Sequence, residues 1–264
     1  YVLLARARLR YLAHDRPGAV DDLHAVVQLA QRIESDRLVI SELVQYAVLD
    51  LWVTAVRQVN TAERLDPDSA ARLLELLGAW DELIGTTEAL KVETIAALSY
   101  SAQVLEEPEG LAALCKPSLW SWKGYLLASY AWRPVHRWDQ AHLLRYELDL
   151  LELSRKPYWA ARQELDALTK ENASESVCFP LTRFLFPGLR WTQSAVAKAE
   201  AWVRTARVGL ALEAYRAETG SYPDSLEALV PGVLPELPLD PFTGKPLVYR
   251  LSDGEQLVYS VGKN

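Results

Sequence analysis

The sequence contains no methionine, two cysteines and only four histidines in 264 residues. Each scarcity removes a class of function. Cys115 and Cys178 stand far apart with no CxxC pair, so the spacing of a zinc knuckle or a thioredoxin-like redox motif is absent. They fit either two buried thiols or a single bridge. None of His14, His24, His136 and His142 has a second histidine at i+4, the spacing of a helical metal pair, which speaks against a metal site. No apolar run reaches the ~18 residues of a membrane span. Acidic residues outnumber basic ones, 35 to 28, for a net charge of −7; a general nucleic-acid binder needs the opposite balance to meet phosphates. Also missing are a G-x-S-x-G elbow, a phosphate loop, a G-x-G-x-x-G turn and an H-E-x-x-H pair, so neither a reaction nor a cofactor is indicated. The carboxylates that are present lie scattered on amphipathic segments, where none stands out as a general acid or base.

What is present is a globular composition. Half of the residues are hydrophobic, too many for a disordered chain, and the length suffices for one large domain or two. The first residue is tyrosine, which leaves room for an upstream signal or anchor segment and hence for a membrane tether.

Apolar periodicity predicts helices through most of the chain. Val2–Ala13 places Leu3, Leu4, Leu9 and Leu12 inward, and Ala19–Glu34 places Leu23, Val26, Val27 and Ala30 inward. Between them lies the break His14-Asp15-Arg16-Pro17-Gly18. The pair reads as an αα-hairpin whose Asp-x-Pro-Gly-Ala turn resembles that of tetratricopeptide repeats, although one hairpin makes no array. Arg37–Arg64 is a long helix with Ile40, Leu43, Val44, Ala47, Leu51 and Ala55 on its apolar face. Asp66-Pro67 opens the next helix as N-cap and first helical residue. Gly78 and Gly85 flank a break, Thr86–Leu105 resumes the helical pattern, and residues 106–110 form a loop.

Residues 119–138 concentrate Trp120, Trp122, Tyr125, Tyr130, Trp132 and Trp138. Such a cluster suits an aromatic platform for a sugar or peptide, or an interfacial belt. Its plainer reading is large rings filling gaps between helices, since aromatic side chains dominate cores through the area they bury. Asp139–Leu153 is a helix whose Glu147, Asp149 and Glu152 are expected on a solvated face; Pro157–Lys170 follows. Residues 172–187 look least regular, with Phe179, Phe184 and Phe186 pinning them to a core.

From Trp191 to Thr219 one long helix is expected, Ala-rich at its start. Val208, Leu212 and Tyr215 recur at i, i+4 and i+7, with Leu210 and Ala214 widening the stripe and Arg207, Glu213, Arg216 and Glu218 mostly outside it. Gly220 stops this helix, and Pro223 holds Tyr222 extended. Asp224 and Glu227 look like a capping box for a short helix over 225–230. Four prolines between 231 and 241 exclude helix and central strand there. Asp240 is held extended by Pro241, and Gly244 permits a tight turn behind it; this carboxylate reads chiefly as a cap for backbone N–H groups, and secondarily as part of a binding loop. Runs at 247–251 and 256–261 flank Asp253-Gly254, the signature of a β-hairpin. Leu247, Tyr249 and Leu251 are expected on one face, matched by Leu257, Tyr259 and Val261.

These residues carry a resemblance. Gly220-Ser221-Tyr222-Pro223, Asp240-Pro241-Phe242-Thr243-Gly244 and Tyr259-Ser260-Val261-Gly262 occur in the order in which they do in the globular module of the major pseudopilin of type II secretion systems. The resemblance covers about residues 206–264. It implies an extracytoplasmic or periplasmic location and a bacterial secretion or pilus-like context. Two departures accompany it. A pseudopilin carries this module directly behind a hydrophobic stem, whereas residues 1–190 precede it here, and the stem position carries Lys198, Glu200 and Arg204. The family's acidic calcium loop would follow Tyr-Ser-x-Gly, where this chain has only Lys263 and Asn264, so no calcium site tighter than millimolar is expected.

The expected architecture is mainly α: a helical-bundle or αα-hairpin body over 1–190, then a long helix and a small α+β module with an antiparallel β-hairpin over 191–264. The expected function is a non-enzymatic extracytoplasmic interaction or scaffold protein with protein partners. The alternatives are a small-ligand or glycan binder using Trp120–Trp138, and a hydrolase whose site is assembled from distant residues.

Overall fold

The structure, a computed structural model, describes residues 1–33, 38–62, 64–85, 87–106, 133–175, 191–252 and 254–263. In chain order these form α1 (Val2–Leu12), α2 (Arg16–Ile33), α3 (Val39–Ala62), α4 (Pro67–Leu83), α5 (Thr87–Glu106), α6 (Arg133–Ser154), α7 (Tyr158–Glu175) and α8 (Thr192–Thr219). A 3-10 turn (Leu226–Leu229) and the strands β1 (Val248–Ser252) and β2 (Glu255–Tyr259) follow. The protein is mostly helical, with a small two-stranded antiparallel sheet at its C-terminal end.

Two compact units result: Tyr1–Thr86 together with Gln193–Asn264, and Thr87–Thr192. This grouping differs from a division at 190/191. Ala199, Val203 and Leu210 of α8 are buried in the same core as α1–α4, a pairing across the sequence that no local pattern announces.

In the first unit, Asp15 accepts the N–H of Gly18 at 3.1 Å and so starts α2 three residues before the expected Ala19. Leu23, Val26, Val27 and Ala30 are buried as their spacing requires. The face of α1 is different from the one expected. Ala7 and Tyr11 are buried, Leu3 and Leu4 are half-buried, and Leu9 is 67% exposed. The reason is polar: Asp22 is buried on α2, and the Arg6 guanidinium grips it through two bonds of 2.6 and 2.9 Å. Arg6 must therefore face α2, and helical spacing turns Leu9 and Leu12 outward. Bonding to Arg6 holds the Asp22 carboxyl below its ordinary pKa.

The apolar face expected for α3 is also corrected. Of that face Ala55 is buried and Leu43 and Leu51 are half-buried, but Ile40, Val44 and Ala47 are exposed, while Tyr46, Leu49, Trp52, Val53, Val56 and Val59 are buried. The helix is apolar nearly all round, and the face with the larger rings buries more area. By length and composition α3 is the one helix among the described residues able to cross a membrane; its buried side forms the centre of this unit's core. At α4, Asp66 accepts the Ser69 N–H at 3.0 Å with Pro67 in the first turn. Gly78 lies inside this helix, and the break includes Ile84 and Gly85.

The C-terminal segment has its own cluster: Val208, Ala211, Leu212, Leu226, Leu229, Leu234 and Leu247, with Tyr215, Tyr249 and Val258 packed against it. The register pairs Tyr249 with Val258, and Arg250 with Leu257. Directly paired residues share a face, so β2 turns Val258 inward, and Leu257 (54% exposed) faces out. The expected match of Leu257, Tyr259 and Val261 to the face of Leu247, Tyr249 and Leu251 is thus replaced, because the turn sets a register one residue away. Leu247→Ala should cost about 2–3 kcal/mol in urea unfolding, whereas Leu257→Ala should stay within about 0.5 kcal/mol. Equal losses would contradict the register. The expected short helix is only the 3-10 turn, preceded by Ser225 with no side-chain cap bond. Glu227 bonds the Ser225 side chain, which lowers its pKa.

In the second unit α6 buries Leu143, Tyr146, Leu150 and Leu153, and α7 continues to Glu175, beyond the expected Lys170. Asp149 and Glu152 face solvent, but Glu147 is buried, and neither of its carboxylate oxygens has a hydrogen-bond partner. Burial, opposed by the neighbouring Thr94 hydroxyl and helped by Glu93, pushes its pKa from the ordinary 4.5 up to about 7. The folded chain then holds a proton that the unfolded chain has lost, so stability falls as pH rises from about 4.5 to about 7. Glu147→Gln should flatten that dependence and stabilise the protein at pH 8 by up to about 3 kcal/mol. Thermal midpoints of both forms across this range test it; parallel curves would show that Glu147 is ionised in the fold.

Candidate functional site

The turn residues of the C-terminal segment build a rigid frame. Gly220 takes φ +86° and returns its N–H to the Arg216 carbonyl at 2.8 Å. Only a residue without a Cβ adopts this cheaply. Tyr222 reaches back to donate to Glu213 at 2.7 Å. The carbonyl of buried Pro223 accepts from the Tyr249 hydroxyl at 2.7 Å. Gly244 (φ +69°) donates to the Asp240 carbonyl at 2.8 Å, and Gly254 (φ +76°) turns the hairpin; Asp253 beside it lies outside the described residues.

Asp240 and Pro241 are both buried. One Asp240 oxygen accepts the Phe242 N–H and the Ser260 hydroxyl, each at 2.9 Å, and the other accepts the Val261 N–H at 3.0 Å. The carboxylate therefore ties its own loop to the chain just beyond β2. Its oxygens are occupied by the protein.

Glu213 forms a second tie. It is 2% exposed, although its place in the sequence puts it outside the apolar stripe. One oxygen accepts from Asn60 at 3.0 Å and from Tyr222 at 2.7 Å; the other accepts from Arg216 at 3.1 and 3.0 Å. The Arg216 guanidinium also lies 5.6 Å from the Tyr222 ring centre. Burial, with the bond to Glu213 adding to it, pushes the Tyr222 pKa up to about 12. α3, α8 and the tail thus meet at one buried anion.

Above this tie opens a groove of about 980 Å³ in the first unit. One wall is the second half of α3, another is α8 from Lys198 to Glu213, and the third is β2 with the residues that follow. Val53, Val56 and Leu210 give it an apolar floor, and Trp202 stands half-buried beside them. Arg57, Arg64, Lys198 and Lys263 are exposed along it, and among the described residues none of the four has an ion-pair partner. Glu213 is the one carboxylate among its described lining residues, and Arg216 neutralises it. Among the described lining residues nothing forms a nucleophile–base pair. The arrangement suits binding of an anionic chain.

Sequence reasoning missed this groove, because its four cations come from separate segments that only folding brings together. Of the aromatic cluster, Trp120, Trp122, Tyr125, Tyr130 and Trp132 lie outside the described residues, as do Cys115 and Cys178. Trp138 projects from α6 and is 63% exposed. Among the described residues no three His, Cys, Asp or Glu side chains gather as a metal ion would need. Set against protein-family models, curated proteins and solved structures, the chain matches none.

Proposed function

We propose that this is a non-enzymatic extracytoplasmic interaction or scaffold protein whose C-terminal pseudopilin-like module serves a bacterial secretion apparatus. The observation that carries the interaction reading is the open groove, with four cations that pair with no described carboxylate and an apolar floor beside a fully bonded Glu213. The secretion context rests on the ordered motifs around Tyr222-Pro223, Asp240-Pro241 and Tyr259-Ser260. A surface of this kind gives specificity and fast encounter through its charges and affinity through its floor.

Photo-crosslinking in the cell tests the proposal. A crosslinking residue at Thr61 or Leu257, both exposed on the groove, should capture a component of the secretion machinery. The same residue at the exposed Glu152 should not. Equal capture from both positions, or none from the groove, would refute the interaction reading.

A further inference from the structure

We infer that the groove takes an extended acidic peptide segment of a partner protein, which adds as a third strand to the free edge of β2. This deepens the scaffold reading and rests on it. The first observation is the run of lining residues: Gln256, Leu257, Val258, Tyr259 and Ser260 all border the groove. A strand presented by its face contributes alternate residues, because side chains point to opposite sides. An unbroken run means that β2 meets the groove along its edge.

Among the described residues that edge is unpaired. The sheet has two strands, and β1 takes one side of β2. With Ser252 opposite Glu255 at the two-residue turn, the hydrogen-bonded pairs are Ser252–Glu255, Arg250–Leu257 and Val248–Tyr259. The backbone groups of Gln256 and Val258 therefore point away from β1, and among the described residues no other backbone group bonds them. A row of this kind pairs readily with another chain. The five residues of β2 offer an edge about 17 Å long.

Charge selects the partner. In a protein of net charge −7, Arg57, Arg64, Lys198 and Lys263 border one groove, and no carboxylate among the described residues pairs with them. Acidic side chains alternating with apolar ones would meet these cations on one side and the Val53–Leu210 floor on the other. A nucleic acid would satisfy the cations but leave the strand edge without a backbone to bond, so a peptide fits both features.

The test uses the full chain and a fluorescein-labelled ten-residue peptide of alternating Glu and Val, followed by anisotropy. Saturable binding that weakens with salt is expected. Methylating alternate peptide nitrogens should weaken it about tenfold or more, as should Arg57→Gln combined with Lys198→Gln, two exposed changes whose thermal midpoint should match the parent. A Lys-Val peptide and a ten-nucleotide oligothymidine should bind far more weakly. No binding, equal binding of the methylated peptide, an unaffected double variant, or tighter binding of the oligothymidine would each overturn the inference. Groove-specific crosslinks without peptide affinity would leave the scaffold reading standing and remove strand addition.

Discussion

Glu213→Ala should destabilise the first unit by about 3–5 kcal/mol, the cost of removing one member of a buried charged pair. The carboxylate is 2% exposed and accepts four bonds, from Asn60, Tyr222 and twice from Arg216. Its removal leaves a guanidinium facing a gap, with two further donors unbonded. The Arg216 side chain retains 20% exposure and can turn partly to water, which places the loss toward the lower end. Glu213→Gln, which keeps an acceptor for Tyr222 and Asn60, should lose less. Glu213→Leu should cost less in an Arg216→Leu background than alone, since the unpaired charge is then gone. Urea unfolding followed by far-UV dichroism measures all of these. A loss under about 1 kcal/mol for Glu213→Ala would mean that water already reaches the pair.

Trp52→Ala should cost about 3–5 kcal/mol. The side chain is fully buried at the centre of α3, and its ring centre lies 6.3 Å from that of Trp80 at a 59° tilt. Its indole N–H donates to the Leu23 carbonyl at 3.1 Å, a second bond on a group already inside α2. Alanine would remove the ring contacts and open a cavity among α2, α3 and α4. Trp52→Phe keeps most of the packing and loses the indole bond, so about 1–2 kcal/mol is expected. Ile40→Ala on the same helix lies 61% exposed and should change stability by under about 0.5 kcal/mol. If Ile40→Ala proved the costlier change, the helix would be rotated about its axis.

Local signals were legible where one residue decides the conformation. Asp66 before Pro67 places the start of α4 because the carboxylate and the ring act within one turn. Gly220 ends α8, and Gly254 sits at the hairpin turn, for the same local reason. Helix faces were less legible. On α3 an almost continuously apolar stretch offers more than one stripe, and only the packing partners choose between them. On α1 the choice fell to Arg6, whose anion stands on another helix.

Sequence by itself determined that this chain is mainly helical, where most helices start, and that a hairpin closes it, since capping, periodicity and turn chemistry act over a few residues. Tertiary structure alone decided that residues 1–86 share a unit with residues 193–264, that Glu213 is buried, and that β2 turns Val258 inward. It also decided that Arg57, Arg64, Lys198 and Lys263 border one groove. Long-range contacts depend on which apolar faces bury the most area together while leaving no buried charge unpaired. That condition applies to the whole chain at once, and no window of neighbouring residues contains it.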